Sequence, residues 1–110
     1  MRFQQIDENF AVAPQITAGD VAAIAKAGFK SVICNRPDTE MGAVPHDAIA
    51  KAAKAAGLEF RYIPVGGFGG NNPLVEMVGA LKEMPRPMLA YCRSGARSAN
   101  LYMAASQNVR

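Results

Sequence analysis

The sequence predicts a three-layer α/β domain with a mostly parallel central sheet. Short apolar runs alternate along the chain with longer segments of helical spacing, which is the pattern of consecutive β–α–β units. Half of the residues are hydrophobic and 19% are charged, an ordinary globular balance. The 110 residues suffice for about one core. We therefore expect one domain over residues 1–110, and because the last predicted helix stops early, truncation at the carboxyl terminus stays open.

The first third of the chain predicts two strands separated by a helix. RFQQIDENFAVA alternates loosely and indicates a short hairpin or edge strand. In PQITAGDVAAIAKAGF, Thr17 and Asp20 are spaced as a capping box, so a helix is expected to begin there. KSVICN is a short run rich in β-branched residues and bounded by turn formers, which predicts a buried strand.

The remaining elements continue the alternation of helix and strand. An alanine-rich helix, a strand, a second helix, a short apolar strand and a last helix are predicted for HDAIAKAAKAAG, LEFRYIPV, PLVEMVGALKEM, MLAYC and RSANLYMAAS. In open parallel sheets ligands bind beyond the carboxyl ends of the strands. Cys92 falls at such an end, which makes it the first candidate for function.

The segment Cys-Arg-Ser-Gly-Ala-Arg-Ser, which follows the last strand, predicts an anion cradle. A glycine allows a tight curl, and inward N–H groups with a helix N-terminus behind them attract anions. Arg97 can grip two oxygens of an oxyanion, and the same positive surroundings should lower the pKa of Cys92 and make it nucleophilic. Ser98 could hydrogen-bond the sulfur or cap the helix. The anion-binding loop is assigned to Arg93, Ser94, Gly95, Ala96 and Arg97. The alternative is an ordinary buried cysteine with basic neighbours.

A second polar segment, NRPDTE, follows the predicted strand that ends at Cys34. Asn35 and Arg36 are expected to orient the cysteine loop, and Asp38 could pair with Arg97 or act as a catalytic acid. The alternative is a plain turn, since proline and aspartate are common turn residues. We expect Cys34 to be a buried structural thiol, with a disulfide to Cys92 as the minority interpretation.

Several classes of function and of partner are disfavoured. The formal net charge is +3 with scattered basic residues, so no nucleic-acid face is expected, and no stretch approaches the length of a membrane span. Two cysteines and one histidine do not have a zinc spacing, and no cofactor motif is present. A cytoplasmic protein with a small sulfur- or phosphate-bearing anion as its partner is expected. The glycines around Phe68 suggest flexibility over the site, with Phe68 as a lid residue.

The motif and its context resemble known families. C-x-x-G-x-R-S is similar to the C-x-x-G-x-x-R-[ST] loop of cysteine-dependent phosphatases, which is one residue longer, and it matches the CRSGxRS loop of rhodaneses. From FAVAPQITAGD through NRPD to CRSGARS, the chain resembles the phosphatase-like domain of bacterial beta-lactamase hydrolase-like proteins. That resemblance implies a dual-specificity-phosphatase-like fold. It also implies a sulfurtransferase activity and, as a partner, a fused or separate persulfide dioxygenase.

Two reactions and one binding role remain open. A phosphatase usually takes its acid from an aspartate on a loop after an earlier strand, but the corresponding IPVGGFGGNN has no Asp, Glu or His. Sulfur transfer to a Cys92 persulfide needs no strong acid, and a shorter loop suits sulfur. We therefore predict a sulfurtransferase that takes sulfur from a thiosulfate or persulfide, with a phosphatase acting through a phosphocysteine as the alternative. A non-catalytic anion-binding module is the third interpretation.

Overall fold

The computed structural model describes residues 1–67 and 69–109. Phe68, predicted above as a lid residue, and Arg110 lie outside the described residues. The five strands are β1 (Gln4–Asp7), β2 (Phe10–Ala13), β3 (Ser31–Cys34), β4 (Glu59–Tyr62) and β5 (Met88–Tyr91). The helices are α1 (Val21–Lys26), preceded by a 3-10 turn over Ala18–Asp20, then α2 (His46–Ala55), α3 (Pro73–Glu83) and α4 (Ala96–Ser106).

The strands form one sheet in the order β1-β2-β5-β3-β4. β1 runs antiparallel to β2 as the outer arm of a hairpin, and the other neighbours pair in parallel. The predicted α/β fold with a mostly parallel sheet is confirmed. This order places the end of β5 between the ends of β2 and β3, so the segments that follow these three strands meet at one edge of the sheet.

Each face of the sheet carries its own apolar cluster, because side chains alternate along a strand. On one face Val32 and Leu89 pack with residues of α1 and α2, including Ile24 and Ile49. On the other face lies a second cluster, which includes Ile33, Ala90, Met77 and Ala105. The helices on both faces bury the sheet, which gives the three predicted layers.

The helix starts follow local sequence signals. Thr17 and Asp20 form the predicted capping box, in which the Thr17 N–H donates to Asp20 Oδ2 at 2.9 Å. The side chain of Asn72 accepts from the Val75 N–H at 3.2 Å and begins α3. The last helix begins at Ala96, one residue before the segment RSANLYMAAS for which it was predicted. Arg97 therefore lies in the first turn of the helix.

Candidate active site

Cys92 lies at the point where β5 ends, and its side chain is fully buried. Its N–H donates to the carbonyl of Ala13 at the end of β2, at 3.3 Å. The chain then turns sharply through Gly95, which has a φ of 98°. This left-handed conformation suits glycine because it has no Cβ. The turn aims the Gly95 N–H at the Cys92 sulfur, at 3.0 Å.

The surroundings of the sulfur favour the thiolate. Burial raises the pKa of Cys92, whereas hydrogen bonds from Ser98 and from the N–H groups of Ser94 and Gly95 lower it. The balance is a pKa below the ordinary value of 9.0. A loop of inward N–H groups at the start of a helix is a recognised way to activate a cysteine. Cys92 therefore has the electrostatic setting of a nucleophile.

Arg97 is held by the carboxylate of Glu40. Its Nη1 donates to Glu40 Oε2 at 2.5 Å and its Nη2 donates to Oε1 at 2.8 Å, while Nη1 also donates to the carbonyl of Val65 at 2.9 Å. These bonds take three of the five N–H donors of the guanidinium. The two that remain, on Nε and Nη2, form a second fork and meet no oxygen among the described residues. The hydrogen bonds to Glu40 raise the pKa of Arg97, and the nearby Cys92 sulfur adds to this.

Arg36 also donates a hydrogen bond to the carboxylate of Glu40. It is 5% exposed, and its Nε donates to Glu40 Oε1 at 3.1 Å. Its terminal nitrogens donate to Gln15 Oε1 at 3.2 Å and to the Met41 carbonyl at 2.7 Å. Glu40 thus lies between two guanidinium groups. The hydrogen bonds from Arg97, followed by those from Arg36, hold the pKa of Glu40 below its ordinary value of 4.5, although partial burial opposes them.

Asn35 and Ser98 are both fully buried and bonded to each other. The Ser98 hydroxyl donates to Asn35 Oδ1 at 2.8 Å, and Asn35 Nδ2 donates to the Ile63 carbonyl at 2.8 Å. The Asn35 N–H donates to the carbonyl of Tyr91 at 2.8 Å. Asn35 thereby joins the ends of β3 and β5 to the first turn of α4, and its role in orienting the cysteine loop stays a prediction.

Asp38 is placed differently from the sequence interpretation that paired it with Arg97. Its Oδ2 lies 2.6 Å from His46 Nδ1, and its Oδ1 accepts from the His46 N–H at 2.9 Å. The Asp38 N–H donates to the hydroxyl of Tyr62 at 2.9 Å, and the ring of His46 stacks on Tyr62 with centroids 3.8 Å apart. Asp38 is tied to the start of α2 because its carboxylate caps that helix, so Glu40 takes the place beside Arg97.

The other predicted loop residues frame the cradle. Arg93 and Ser94 are exposed, and the hydroxyl of Ser94 accepts from the Ala96 N–H at 3.3 Å. The carbonyl of Arg93 accepts from the Gln15 N–H at 3.3 Å. The side chains of Arg93 and Ser94 also line a cleft of about 520 Å³ beside the amino-terminal strand. The backbone of Ser94 thus contributes to the cradle, whereas the side chains of Arg93 and Ser94 are exposed.

The second cysteine is a free, buried thiol. The Cys34 sulfur donates to the carbonyl of Arg36 at 3.3 Å. Burial raises the pKa of Cys34, and a contact with the Tyr91 hydroxyl opposes that rise. Cys34 therefore has the surroundings of a structural thiol, and it is not joined to Cys92 by a disulfide in this structure. Within residues 1–67 and 69–109, no group of three potential metal ligands occurs.

Three contributors to the site were not singled out from the sequence: Glu40, Gln15 and the carbonyl of Val65. Glu40 carried a usable signal, because it stands four residues after Arg36 in the polar segment that was singled out. Gln15 and Val65 carried no signal in the sequence, because each reaches the site only through the packing of the strands. No helix of the described chain is long and apolar enough to cross a membrane.

The fold and the cysteine loop together define a phosphatase-like cysteine domain. A sequence model of the family described as "Beta-lactamase hydrolase-like protein, phosphatase-like domain" matches residues 2–109. The chain belongs to this family, which confirms the resemblance drawn from the sequence. It is 32% identical over 105 residues to the beta-lactamase hydrolase-like protein of Agrobacterium fabrum, and 32% identical over 104 residues to that of Xylella fastidiosa 9a5c. These matches cover 94% and 93% of this chain but 24% of each relative.

Solved structures show the same fold. A protein of Neisseria meningitidis Z2491, described as a candidate phosphatase, is 31% identical with a TM-score of 0.78, and the match covers 93% of this chain and 74% of that one. A second candidate phosphatase, from Shewanella putrefaciens CN-32, has a TM-score of 0.80 at 19% identity, with 96% of this chain and 68% of that chain covered. The catalytic core of Siw14 has a TM-score of 0.65 at 12% identity, and the match covers 96% of this chain and 66% of that chain. These findings favour the phosphatase alternative, and the sulfurtransferase prediction gains no support from them.

Proposed function

We propose that this domain is a cysteine-dependent phosphatase that acts through a phosphocysteine at Cys92. The observation that carries the proposal is the buried Cys92 sulfur, held by the Gly95 N–H and lying near Arg97 in a phosphatase-like fold. A thiolate in an N–H cradle beside a guanidinium fork suits attack on a tetrahedral oxyanion.

The reaction runs in two displacements. In the first, the Cys92 thiolate attacks phosphorus, the S–P bond forms, and the bond to the leaving oxygen breaks with its electron pair on that oxygen. In the second, water attacks phosphorus, the S–P bond breaks, and the thiolate leaves as inorganic phosphate forms. In both steps the Nε and Nη2 fork of Arg97 is available to the equatorial oxygens, because Glu40 and Val65 occupy its other donors.

The carboxylates of the site favour substrates with good leaving groups. Glu40 is held ionised by two guanidinium groups, so it is a poor proton donor. Both carboxylate oxygens of Asp38 are bonded to His46, so neither is free to donate a proton to the leaving group. A phenolate leaves without help from an acid more readily than an alkoxide does. We therefore propose that aryl phosphates are turned over faster than alkyl phosphates.

Sulfur transfer is the second candidate, and a specific observation favours it. The loop has four residues between Cys92 and Arg97, one fewer than the phosphatase pattern, and the sequence from Ile63 to Asn72 offers no Asp, Glu or His. In this reaction the thiolate attacks the outer sulfur of thiosulfate, the S–S bond breaks, and sulfite leaves with the electron pair. A persulfide dioxygenase partner and a cytoplasmic location stay predictions.

One experiment separates these functions. The purified domain is assayed for phosphate release from 4-nitrophenyl phosphate and phosphotyrosine, and in parallel for thiocyanate formation from thiosulfate and cyanide. Cys92→Ser is the test variant, and Cys34→Ser is the matched control because Cys34 is also a buried thiol. Phosphate release that is lost in the first variant and kept in the second supports the proposal. Cys92-dependent thiocyanate without phosphate release selects sulfur transfer, and neither product selects the binding module.

A further inference from the structure

We propose that the cleft beside the cysteine loop, lined by Arg2 and Arg93, binds a second anionic group of the substrate. The ligand is a small phosphate ester that also carries a carboxylate or a second phosphate. This inference rests on the proposed phosphatase function, because it places the first anionic group, the phosphoryl group, on Cys92. It adds to that function a substrate class, namely esters with two anionic groups.

This cationic cleft has a volume of about 520 Å³ and lies between the amino-terminal strands and the start of the cysteine loop. Buried Val12 and exposed Phe3 give it an apolar lining, and Arg93 lines it from the loop. The ring of Phe3 packs edge-on against Phe29, with centroids 5.3 Å apart, which holds that wall in place. A cleft of this size, apolar with a few polar groups, suits a small organic ligand.

The positive charge of the cationic cleft is not balanced. Arg2 and Arg93 both line it, and no aspartate or glutamate of the described chain does. Neither arginine forms a salt bridge within residues 1–67 and 69–109. In contrast, a glutamate pairs with each of Arg36, Arg61 and Arg97. Two guanidinium groups without a carboxylate create a positive potential that attracts anions, and the planar fork of an arginine matches two oxygens of a carboxylate or phosphate.

A single residue of the loop, Gly95, lies between the cationic cleft and the Cys92 sulfur. The Gly95 N–H donates to that sulfur at 3.0 Å, and a Cβ on Gly95 would lie 3.6 Å from Val12 Cγ2, in the lining of the cleft. Arg93 follows Cys92 directly, and its carbonyl accepts from the Gln15 N–H at 3.3 Å. A phosphoryl group on the sulfur therefore has the cationic cleft as its neighbour on the side of β2.

Arg97 and the cationic cleft lie on opposite sides of β5, so they recognise different parts of the substrate. Arg97 is anchored to Glu40 and to the Val65 carbonyl, in the segments that follow β3 and β4. The cleft lies toward β2 and β1, which flank β5 on its other side. The cradle and Arg97 thus hold the phosphoryl group, which leaves Arg93 and Arg2 for an anionic group on the rest of the ester.

The test uses three aryl phosphates that share one skeleton. They are 4-(2-carboxyethyl)phenyl phosphate, its phosphonate analogue and its neutral N-methylamide. The two-carbon spacer keeps the basicity of the leaving phenolate nearly equal, so the three esters differ in the second group alone. Steady-state kinetics give kcat/KM for each ester. Calorimetric binding to the Cys92→Ser domain gives their affinities without turnover.

The variants remove one positive charge at a time. Arg93→Gln and Arg2→Gln are the test variants, and Arg61→Gln is the matched control, because it lies on β4 at the opposite edge of the sheet from β1. Each is also made in the Cys92→Ser background, and circular dichroism checks its fold.

We expect the unmodified cleft to prefer the carboxylate and the phosphonate over the methylamide by about fivefold at low salt, with a smaller preference at high salt. The preference should be lost in Arg93→Gln, reduced in Arg2→Gln and kept in Arg61→Gln. Arg93→Lys retains the charge and should retain most of the preference. The ratio between the two anionic esters then shows whether a carboxylate or a phosphate fits the cationic cleft better.

Three results would overturn the inference. The first is equal turnover and equal binding of the three esters, which leaves the phosphatase proposal intact. The second is a preference that survives in both Arg93→Gln and Arg2→Gln, or that Arg61→Gln reduces as much. The third is no binding of any ester to the Cys92→Ser domain. If the esters bind but the wild type hydrolyses none of them, the phosphatase proposal fails, and the affinities alone decide whether the cleft binds the second anion.

Discussion

Glu40 and Arg97 lie 57 positions apart in sequence and meet through both carboxylate oxygens and both terminal guanidinium nitrogens. The pair joins the segment after β3 to the first turn of α4. Because a bidentate carboxylate fixes the plane of a guanidinium, it also fixes where the free fork of Arg97 points. The carboxylate thus orients the arginine and leaves two donors for an oxyanion.

Replacing Glu40 with glutamine should lower the catalytic efficiency of the domain. An amide presents one acceptor in place of two, so one charge-assisted bond to Arg97 is lost and the guanidinium is less firmly oriented. We expect kcat/KM for 4-nitrophenyl phosphate to fall about tenfold, which corresponds to about 1.4 kcal/mol. Steady-state kinetics check this. Glu83→Gln, which removes an exposed partner of Arg61, is the matched control, and an equal loss in both variants would count against the orienting role.

Replacing Gly95 with alanine should disturb the loop through its backbone. A Cβ at this position would meet Ala13 and Val12 atoms at 3.6 Å, an ordinary contact, so steric clash is not the cause of the effect. The φ of 98° is the difficulty, because an L-residue there costs about 1–2 kcal/mol. The backbone should relax and carry the N–H away from the Cys92 sulfur.

Two measurements follow for Gly95→Ala. Thermal denaturation should show a lower midpoint, and alkylation of Cys92 should require a higher pH than in the wild type. Gly79→Ala is a suitable control, since this glycine lies within α3 at an ordinary φ. An unchanged pH profile for Cys92 would show that the Gly95 N–H does not stabilise the thiolate.

The lowered pKa of Glu40 predicts that the stability of the fold depends on pH. Its pKa is below the ordinary value of 4.5 in the folded protein, chiefly because of the hydrogen bonds from Arg97. Its ionised form therefore stabilises the fold above about pH 4.5, and this contribution is lost as the pH falls through the lowered pKa. Thermal midpoints measured across this range should converge for wild type and Glu40→Gln at the acid end. A difference that grows on acidification would contradict the assigned ion pair.

Asp38 should contribute little to the chemical step for activated esters. Its carboxylate is bonded to His46, and its N–H reaches Tyr62. We expect Asp38→Asn to keep kcat for 4-nitrophenyl phosphate within a few-fold of wild type, with its main effect on the stability of the start of α2. A loss of kcat that grows with the basicity of the leaving group, across a series of aryl phosphates, would instead assign Asp38 as the acid.

The sequence predicted the cysteine loop because its chemistry is local. Cysteine, glycine and arginine stand within a few residues between a strand and a helix, so their proximity follows from the chain itself. The layers and the mostly parallel sheet were likewise predictable from the alternation of apolar runs. Strands β3, β4 and β5 are shorter than the apolar runs that predicted them, although backbone hydrogen bonds such as that from the Ile63 N–H to the Cys34 carbonyl continue past their ends.

The partner of Arg97 could not be chosen from the sequence. Asp38 and Glu40 lie two residues apart in one polar segment, and either could reach an arginine at the same sheet edge. The choice depends on where the segment turns: the Glu40 N–H donates to the Pro37 carbonyl at 3.1 Å, and Asp38 caps α2 through His46. The bond between Asn35 and Ser98 also depends on packing, because it spans 63 positions.

The central claim is that Cys92 carries the phosphoryl group during turnover. The most direct measurement is rapid quenching of the domain with 4-nitrophenyl phosphate, followed by phosphorus NMR and peptide mapping of the trapped protein. We predict one phosphoryl group bound to the Cys92 sulfur, absent in Cys92→Ser and present in Cys34→Ser. Phosphate release without this adduct, or a cysteine that takes up sulfur from thiosulfate and never phosphorus, would contradict the assignment.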